Sequence, residues 1–319
     1  EASNRLSQFY LFLKVLKEYE LGQDSFTYYW MNSLPRYFSN GASLTDFCFG
    51  CLPPYAAEAS LAEKYKLKLF VQALSQVPFL STESKNNEDL AKWAFSVVHT
   101  RYFPMADGDC CIVPTADFFN HGSEPNAYIT YDDEGNCYAF TTREVQAGQP
   151  LMISYGDSTN PSALLAKYGF LDESAPATFC KYVVNNPSAE LVNMGYDPSR
   201  MLFYTNGEIA QEVWDVLLYE ALGKVSYDEQ QSLYQAHMTG NVELTLQYHQ
   251  QYFEQTKSAL QEHVNFLLNE LEELGLGLEI QVSQGQDAER HPRLPLIMRH
   301  NEFITKILEN VQQNLDSMV

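Results

Sequence analysis

Between residues 113 and 172, three pairs recur among aromatic side chains: Asn120-His121, Tyr155-Gly156 and Tyr168-Gly169. The first closes the run Val113-Pro-Thr-Ala-Asp-Phe-Phe-Asn-His-Gly122; the others lie in Ile153-Ser-Tyr-Gly-Asp157 and Lys167-Tyr-Gly-Phe170. A glycine lets the backbone come close to another group or turn sharply. A tyrosine beside it can present its hydroxyl to a ligand while its ring packs inside. The set suits the holding and orienting of a ligand, and no Gly-x-Ser-x-Gly elbow is present to support a serine hydrolase. Taken singly, the same residues also fit plainer roles. Asp117 and Asn120 fit a cap and a turn, His121 a satisfied turn histidine, and Tyr155 and Tyr168 core tyrosines.

The elements that must position these residues follow from periodicity. Phe9, Tyr10, Leu13 and Leu16 recur at helical intervals across residues 7–20, and Gly22 supplies a stop. Residues 28–54 are aromatic and turn-rich and predict short helices linked at Pro35, Gly41 and Pro53. A second amphipathic helix is predicted over 58–74 and a polar loop over 81–89. Asn87 can cap a helix over 88–102 that places Trp93, Val97 and Arg101 on one face. The period then changes to two. Residues 127–131 and 137–142 predict strands of a hairpin turning at 132–136, and 151–154 predict another short strand. Residues 160–167 predict a helical turn that returns the chain to Tyr168. Beyond Asp172, 178–184 and 201–204 read as extended, and helices are predicted over 208–222, 227–238, 242–274 and 294–316, with a polar break at 283–290.

In this order the motifs resemble the C-terminal half of a SET-domain methyltransferase. Within that superfamily they look most like the Rubisco large-subunit methyltransferase group, whose SET domain is split by a helical insert and followed by a helical substrate-binding domain. The family's Asn-His pair matches Asn120-His121, and its acidic residue three positions earlier matches Asp117. Its two tyrosines match Tyr155 and Tyr168, and its Tyr-Gly-Phe segment matches Tyr168-Gly169-Phe170. Its arginine at the end of the preceding helix matches Arg101 in His99-Thr-Arg-Tyr-Phe103. SET domains open on a strand pair whose Gly-x-Gly segment holds the methionine end of the cofactor. The one Gly-x-Gly here, Gly275-Leu-Gly277, follows a long helical run in the wrong order. The chain, starting at Glu1, is therefore expected to begin inside the helical insert, without the N-terminal SET strands. The competing expectation is a natural protein that has lost them.

The resemblance implies an α+β fold in three parts. These are a helical insert over 1–92, the C-terminal portion of a β-rich SET core threaded as a pseudoknot over 93–172, and a mostly α-helical, substrate-binding-like domain over 173–319. It also implies S-adenosylmethionine as cofactor and a protein substrate bearing a target lysine. An amine must be neutral to accept a methyl group, and a lysine with a reference pKa of ~10.4 loses its proton only through desolvation, nearby positive charge or loss to solvent. By resemblance, Tyr155 is the hydroxyl nearest the reacting nitrogen, and Tyr168 is the second channel wall and touches the cofactor. Asn120 and His121 would hold the adenosine end, with Phe170 on the adenine and Gly169 in the same segment. Arg101 would neutralise the cofactor's carboxylate, and Asp117 would support the turn or approach the amine. Two alternatives stay open: a catalytically silent SET-like module that presents acidic helices to a basic partner, and a protein-histidine methyltransferase.

Composition narrows the partners. Lys and Arg number 20 against 41 Asp and Glu, for a net charge of −21. That balance repels phosphate backbones and disfavours nucleic acid, while it attracts a basic surface such as a lysine-bearing protein. No apolar run is long enough to span a membrane, and a monomer is expected. Cys48-Phe-Gly-Cys51 has the spacing of half a zinc site, but no second such pair follows, so no metal is expected. Adjacent Cys110 and Cys111 point to opposite faces if extended, as small buried thiols do.

Overall fold

Asn87 starts the helix that organises the first half of the chain: its Oδ1 accepts the Leu90 amide at 3.0 Å, and the helix runs Glu88–Arg101. Both are seen in a computed structural model that describes residues 2–105, 107–132 and 134–318, with side chains from Arg5 onward. The Ala2–Leu21 helix packs against this one and buries Phe12, Leu13, Val15 and Leu16 with Trp93, Phe95, Val97 and Val98. A third helix, Pro54–Leu74, begins with proline at its first turn, where the missing amide costs nothing, and adds Phe70 and Leu74 to the same core.

The strands are short and paired in twos. Ala127–Tyr131 and Cys137–Thr141 form the expected antiparallel hairpin. Its turn is tied by Asp132 Oδ1, which accepts the Glu134 and Asn136 amides; Asp133, within that turn, lies outside the described residues. Asn120–His121 runs parallel to Met152–Ile153, with Asn120 opposite Met152 and His121 opposite Ile153. Buried Asn126 fixes that pairing, accepting the Met152 amide at 2.8 Å and donating to Pro150 O at 3.0 Å. The Pro161–Tyr168 helix, capped by Asn160 and packed on Pro54–Leu74, then delivers Tyr168. It stops at Gly169, whose φ is 77°. A Cβ there would lie 2.5 Å from the Ser39 carbonyl carbon, so only glycine fits.

The chain divides into two compact units. One runs to Ser174 and takes in Ala288–Leu296; the other holds Ala175–Asp287 and the chain from Ile297. In the second unit, Ala177–Phe179 pairs antiparallel with Leu202–Tyr204. Helices Gln211–Val225, Tyr227–Thr239, Val242–Gln251 and Phe253–Ser283, with the Leu294–Ser317 helix from Ile297 onward, close around Phe203, Leu218, Leu222, Leu233, Leu260, Val264, Ile304 and Val311. Among the described residues no helix is long and apolar enough to cross a membrane.

Three local expectations change. The polar stretch 81–89 contains a short helix, Thr82–Asn86, because the Ser81 hydroxyl caps the Ser84 amide. The single helix expected over 242–274 is two, broken at Tyr252, whose ring is buried and whose hydroxyl donates to Glu229. The second of these continues through Gly275 and Gly277 to Ser283 because Leu278 still finds a buried position.

His99 makes the first unit sensitive to acid. Its ring stacks on Phe95 at 4.0 Å and is 3% exposed. Burial, assisted by the charges of Lys66 and Lys167, lowers its pKa from 6.5 to about 3. The imidazole is therefore neutral, and its 3.5 Å approach to Glu63 is no ion pair at neutral pH. Between about pH 6.5 and 3 the unfolded chain binds a proton that the folded chain refuses, so stability falls as pH falls through that window. At ~1.36 kcal/mol per unit the loss reaches roughly 3 kcal/mol near pH 4. His99→Gln should flatten this acid limb in urea melts followed from neutral pH downward. Identical pH slopes for the two proteins would show that His99 does not titrate as described.

Candidate functional site

The site is built outward from one buried ion pair. Asp117 sits on the 3-10 turn Ala116–Phe118, just after Thr115 at φ 80°, and its side chain has no solvent exposure. Its Oδ2 accepts from Arg101 Nη1 and from Trp30 Nε1, each at 3.0 Å, and Arg101 Nη1 also reaches the Asp117 carbonyl at 2.9 Å. Arg101 comes from the last turn of the Glu88–Arg101 helix and Trp30 from the short helix Tyr28–Ser33. Arg101 Nε and Asp117 Oδ1 are buried with no partner among the described residues. One donor and one acceptor are thus left unsatisfied on the same pair, both out of reach of solvent.

Three residues on, the parallel strand pairing sets the histidine. His121 Nδ1 accepts the Tyr155 amide at 3.1 Å, and its Nε2 lies 3.3 Å from Asp172 Oδ2, at ion-pair distance but without hydrogen-bond geometry. Burial holds the imidazole below its ordinary pKa despite Asp172, so it is a neutral acceptor toward Tyr155. Asn120, its neighbour on the strand, is exposed.

Four rings then close together. Tyr155 and Tyr168 have centroids 4.8 Å apart, and His121 and Phe170 lie within 5.6 and 6.2 Å of Tyr155. The Tyr155 hydroxyl donates to Phe119 O at 2.5 Å, and the Tyr168 hydroxyl donates to Tyr155 O at 3.0 Å. Burial raises both phenol pKa values, to about 12 for Tyr168, so both are neutral at physiological pH. With each proton committed to a carbonyl, each oxygen is left to act as an acceptor.

Two cavities meet at this cluster and share Thr100, Arg101, Asp117, Tyr155 and Tyr168 as walls. One, of about 430 Å³, adds Asn120, Gly169, Phe170 and the 37–39 segment. The other, of about 340 Å³, adds Tyr102, Phe119, Ser154 and Lys167. Lys167 Nζ stands 4.8 Å from the ring centroids of both Tyr102 and Tyr168. Of the eight residues singled out from the sequence, seven line the first cavity. His121 lines neither and acts from behind Tyr155. Sequence reasoning missed Trp30, Asn126, Lys167 and Asp172. Only Lys167, adjoining Tyr168-Gly169, carried any signal of position.

The SET domain profile matches residues 14–156, a span that includes Arg101, Asp117, Asn120, His121 and Tyr155. Rubisco LSMT bound to AdoMet is similar with a TM-score of 0.63 at 17% identity, over 97% of this chain and 74% of that one. The SET domain of LSMT bound to lysine and AdoHcy gives 0.64 at 17%, over 96% and 74%. Rubisco LSMT bound to sinefungin and monomethyllysine gives 0.63 at 16%, over 96% and 73%. No curated protein sequence matches the chain. At these identities the likeness to the solved structures is one of fold.

Removing the two kinds of wall residue should have very unequal consequences for stability. Asp117→Ala leaves Arg101 charged, part-buried and unpaired and should cost about 3–5 kcal/mol. Asn120→Ala, at an exposed position, should stay within about 0.5 kcal/mol of the parent. Urea denaturation of both variants at neutral pH measures the difference. A mild Asp117→Ala phenotype would remove the ion pair from its central place.

Proposed function

We propose that this chain, a SET-domain protein with the fold of Rubisco LSMT, is an S-adenosylmethionine-dependent protein-lysine N-methyltransferase. The observation that carries the reading is the shared wall: two cavities touch only through Arg101, Asp117, Thr100 and the two tyrosines. A methyl transfer needs two reactants approaching one point from different sides in line, and positioning supplies much of its acceleration. The solved structures of similar fold carry AdoMet, AdoHcy or sinefungin, and lysine or monomethyllysine, which supports the same two ligand classes here.

The cavity with Asn120, Gly169 and Phe170 suits the cofactor. Phe170 offers a ring face, exposed Asn120 an amide, and Arg101, held by Asp117 through Nη1 alone and 16% exposed, its outer donors for a carboxylate. When bound there, S-adenosylmethionine supplies an electrophilic sulfonium methyl. The cavity with Tyr102, Phe119 and Lys167 suits the acceptor amine. Its aromatic walls offer an apolar side to the acceptor, and the Lys167 ammonium disfavours a second positive charge beside it, so an entering lysine sheds its proton more readily. Tyr155 and Tyr168, neutral and with their protons held by carbonyls, offer oxygen acceptors that orient the amine.

Tyr155→Phe keeps the ring stack and removes only the hydroxyl. It should leave S-adenosylmethionine affinity nearly unchanged while lowering methyl transfer by about 30- to 1,000-fold, the equivalent of about 2–4 kcal/mol in the barrier. Asn120→Ala should weaken cofactor binding first. Calorimetry paired with single-turnover methylation of a lysine peptide separates the two. Full activity in Tyr155→Phe, or equal loss of binding in both variants, would reassign the roles.

Lys167→Met gives a second reading. Without the cation the acceptor's pKa rises, so the rising limb of the pH–rate profile should move to higher pH; an unmoved limb would take Lys167 out of the mechanism. The competing interaction-module reading rests on the net charge of −21. It is favoured if the chain binds a basic protein but no S-adenosylmethionine.

A further inference from the structure

A third cavity, of about 420 Å³, lies in the first unit; it shares Tyr37 and Phe38 with the larger of the two site cavities, and its other walls are its own. Arg36, Lys92 and Arg293 line it, against the single carboxylate of Asp89. In a chain where acids outnumber bases 41 to 20, that is a local reversal of charge.

The arginines are also held without counter-ions. The Arg36 guanidinium lies 5.2 Å over the Trp93 ring and donates to Asn32 Oδ1 at 2.7 Å. Trp93 in turn donates its indole N–H to Pro35 O at 2.9 Å, fixing the backbone next to Arg36. Arg293 spends Nε and Nη2 on Phe38 O, at 3.3 and 2.8 Å. Among the described residues neither arginine has a carboxylate within 4.0 Å; Lys92 meets Asp89 at 3.5 Å on the surface. Stacking and carbonyl bonds therefore set both forks in place while leaving their charge unneutralised. A fork so prepared recognises a phosphate oxygen pair at low entropic cost. Two further lining residues, Tyr19 and Tyr37, are 46% and 87% exposed, so their rings are open to a flat partner. The volume falls within the range of about 300–1,000 Å³ usual for small-molecule sites.

We propose that this cavity binds a nucleoside monophosphate, with the phosphate between Arg36, Arg293 and Lys92 and the base against Tyr19 and Tyr37. The test is calorimetry of the chain with AMP, run with S-adenosylhomocysteine in excess to fill any adenosine site elsewhere. Saturable one-to-one binding should persist under that competition. Inorganic phosphate and adenosine alone should each bind at least about tenfold more weakly, because each lacks one half of the recognition. Arg36→Gln and Arg293→Gln should each weaken AMP by about tenfold or more with unchanged melting temperatures. Tyr37→Ala, at a site where folding is insensitive, should weaken it by about fivefold and serves as the check if an arginine variant misfolds. The proposal is overturned by any of four results: no saturable binding; displacement by S-adenosylhomocysteine; parental affinity in both arginine variants; or tighter binding of a phosphotyrosine peptide than of AMP.

Discussion

The arrangement of the site depends on a carboxylate that solvent cannot reach. An ionised group so placed costs several kcal/mol in lost hydration unless its partners are well aligned. For Asp117 those partners are Arg101 and Trp30, converging on one oxygen from separate helices. Because neither helix can shift without breaking the pair, the turn Ala116–Phe118 is pinned, and with it the start of the Asn120–His121 strand. Strand register does the rest: His121 falls opposite Ile153, two residues before Tyr155, and its ring nitrogen takes the Tyr155 amide. A single ion pair thus reaches the tyrosines through three short, rigid steps.

The tyrosines themselves form a hierarchy. Tyr168 bonds to the backbone of Tyr155, and Tyr155 to the backbone of Phe119. Each hydroxyl therefore reports the position of the residue before it in the chain of contacts. Gly169 contributes by absence: the missing side chain lets the end of the Pro161–Tyr168 helix lie against the backbone of Ser39 and Asn40. Without that approach Tyr168 would stand farther from the residues it must meet.

Much of this was legible in the residues, for identifiable reasons. The cap at Asn87, the change of period near residue 127 and the hairpin are local signals, and they emerge within a residue or two of where they were read. Gly169 was legible as a close approach, though not what it approaches, since Ser39 lies far away in sequence. Two-residue strands have no period to detect, so the parallel pairing of Asn120–His121 with Met152–Ile153 left no trace. Trp30 is 87 positions from Asp117, and nothing in an aromatic-rich stretch marks one ring as an ion-pair partner. Arg101 was read toward a ligand's carboxylate, whereas its Nη1 is held by Asp117, so only its remaining donors can face anything else.

Net charge conceals how the positive groups are used. The total of −21 is felt only within about 8 Å of the surface in physiological salt, because screening erases it at longer range. Inside a cavity the nearest one or two charges decide. Lys167 lies against Tyr168, Arg36 against Trp93, and Arg293 is held by Phe38 O; none of the three has a carboxylate ion-pair partner among the described residues. That manner of holding matters chemically. An ion-paired cation presents little field to a ligand, whereas a cation held by a ring or a carbonyl keeps its charge available. An acidic chain can therefore attract basic macromolecules to its surface and still keep, along a few cavity walls, cations whose charge is not neutralised by a carboxylate.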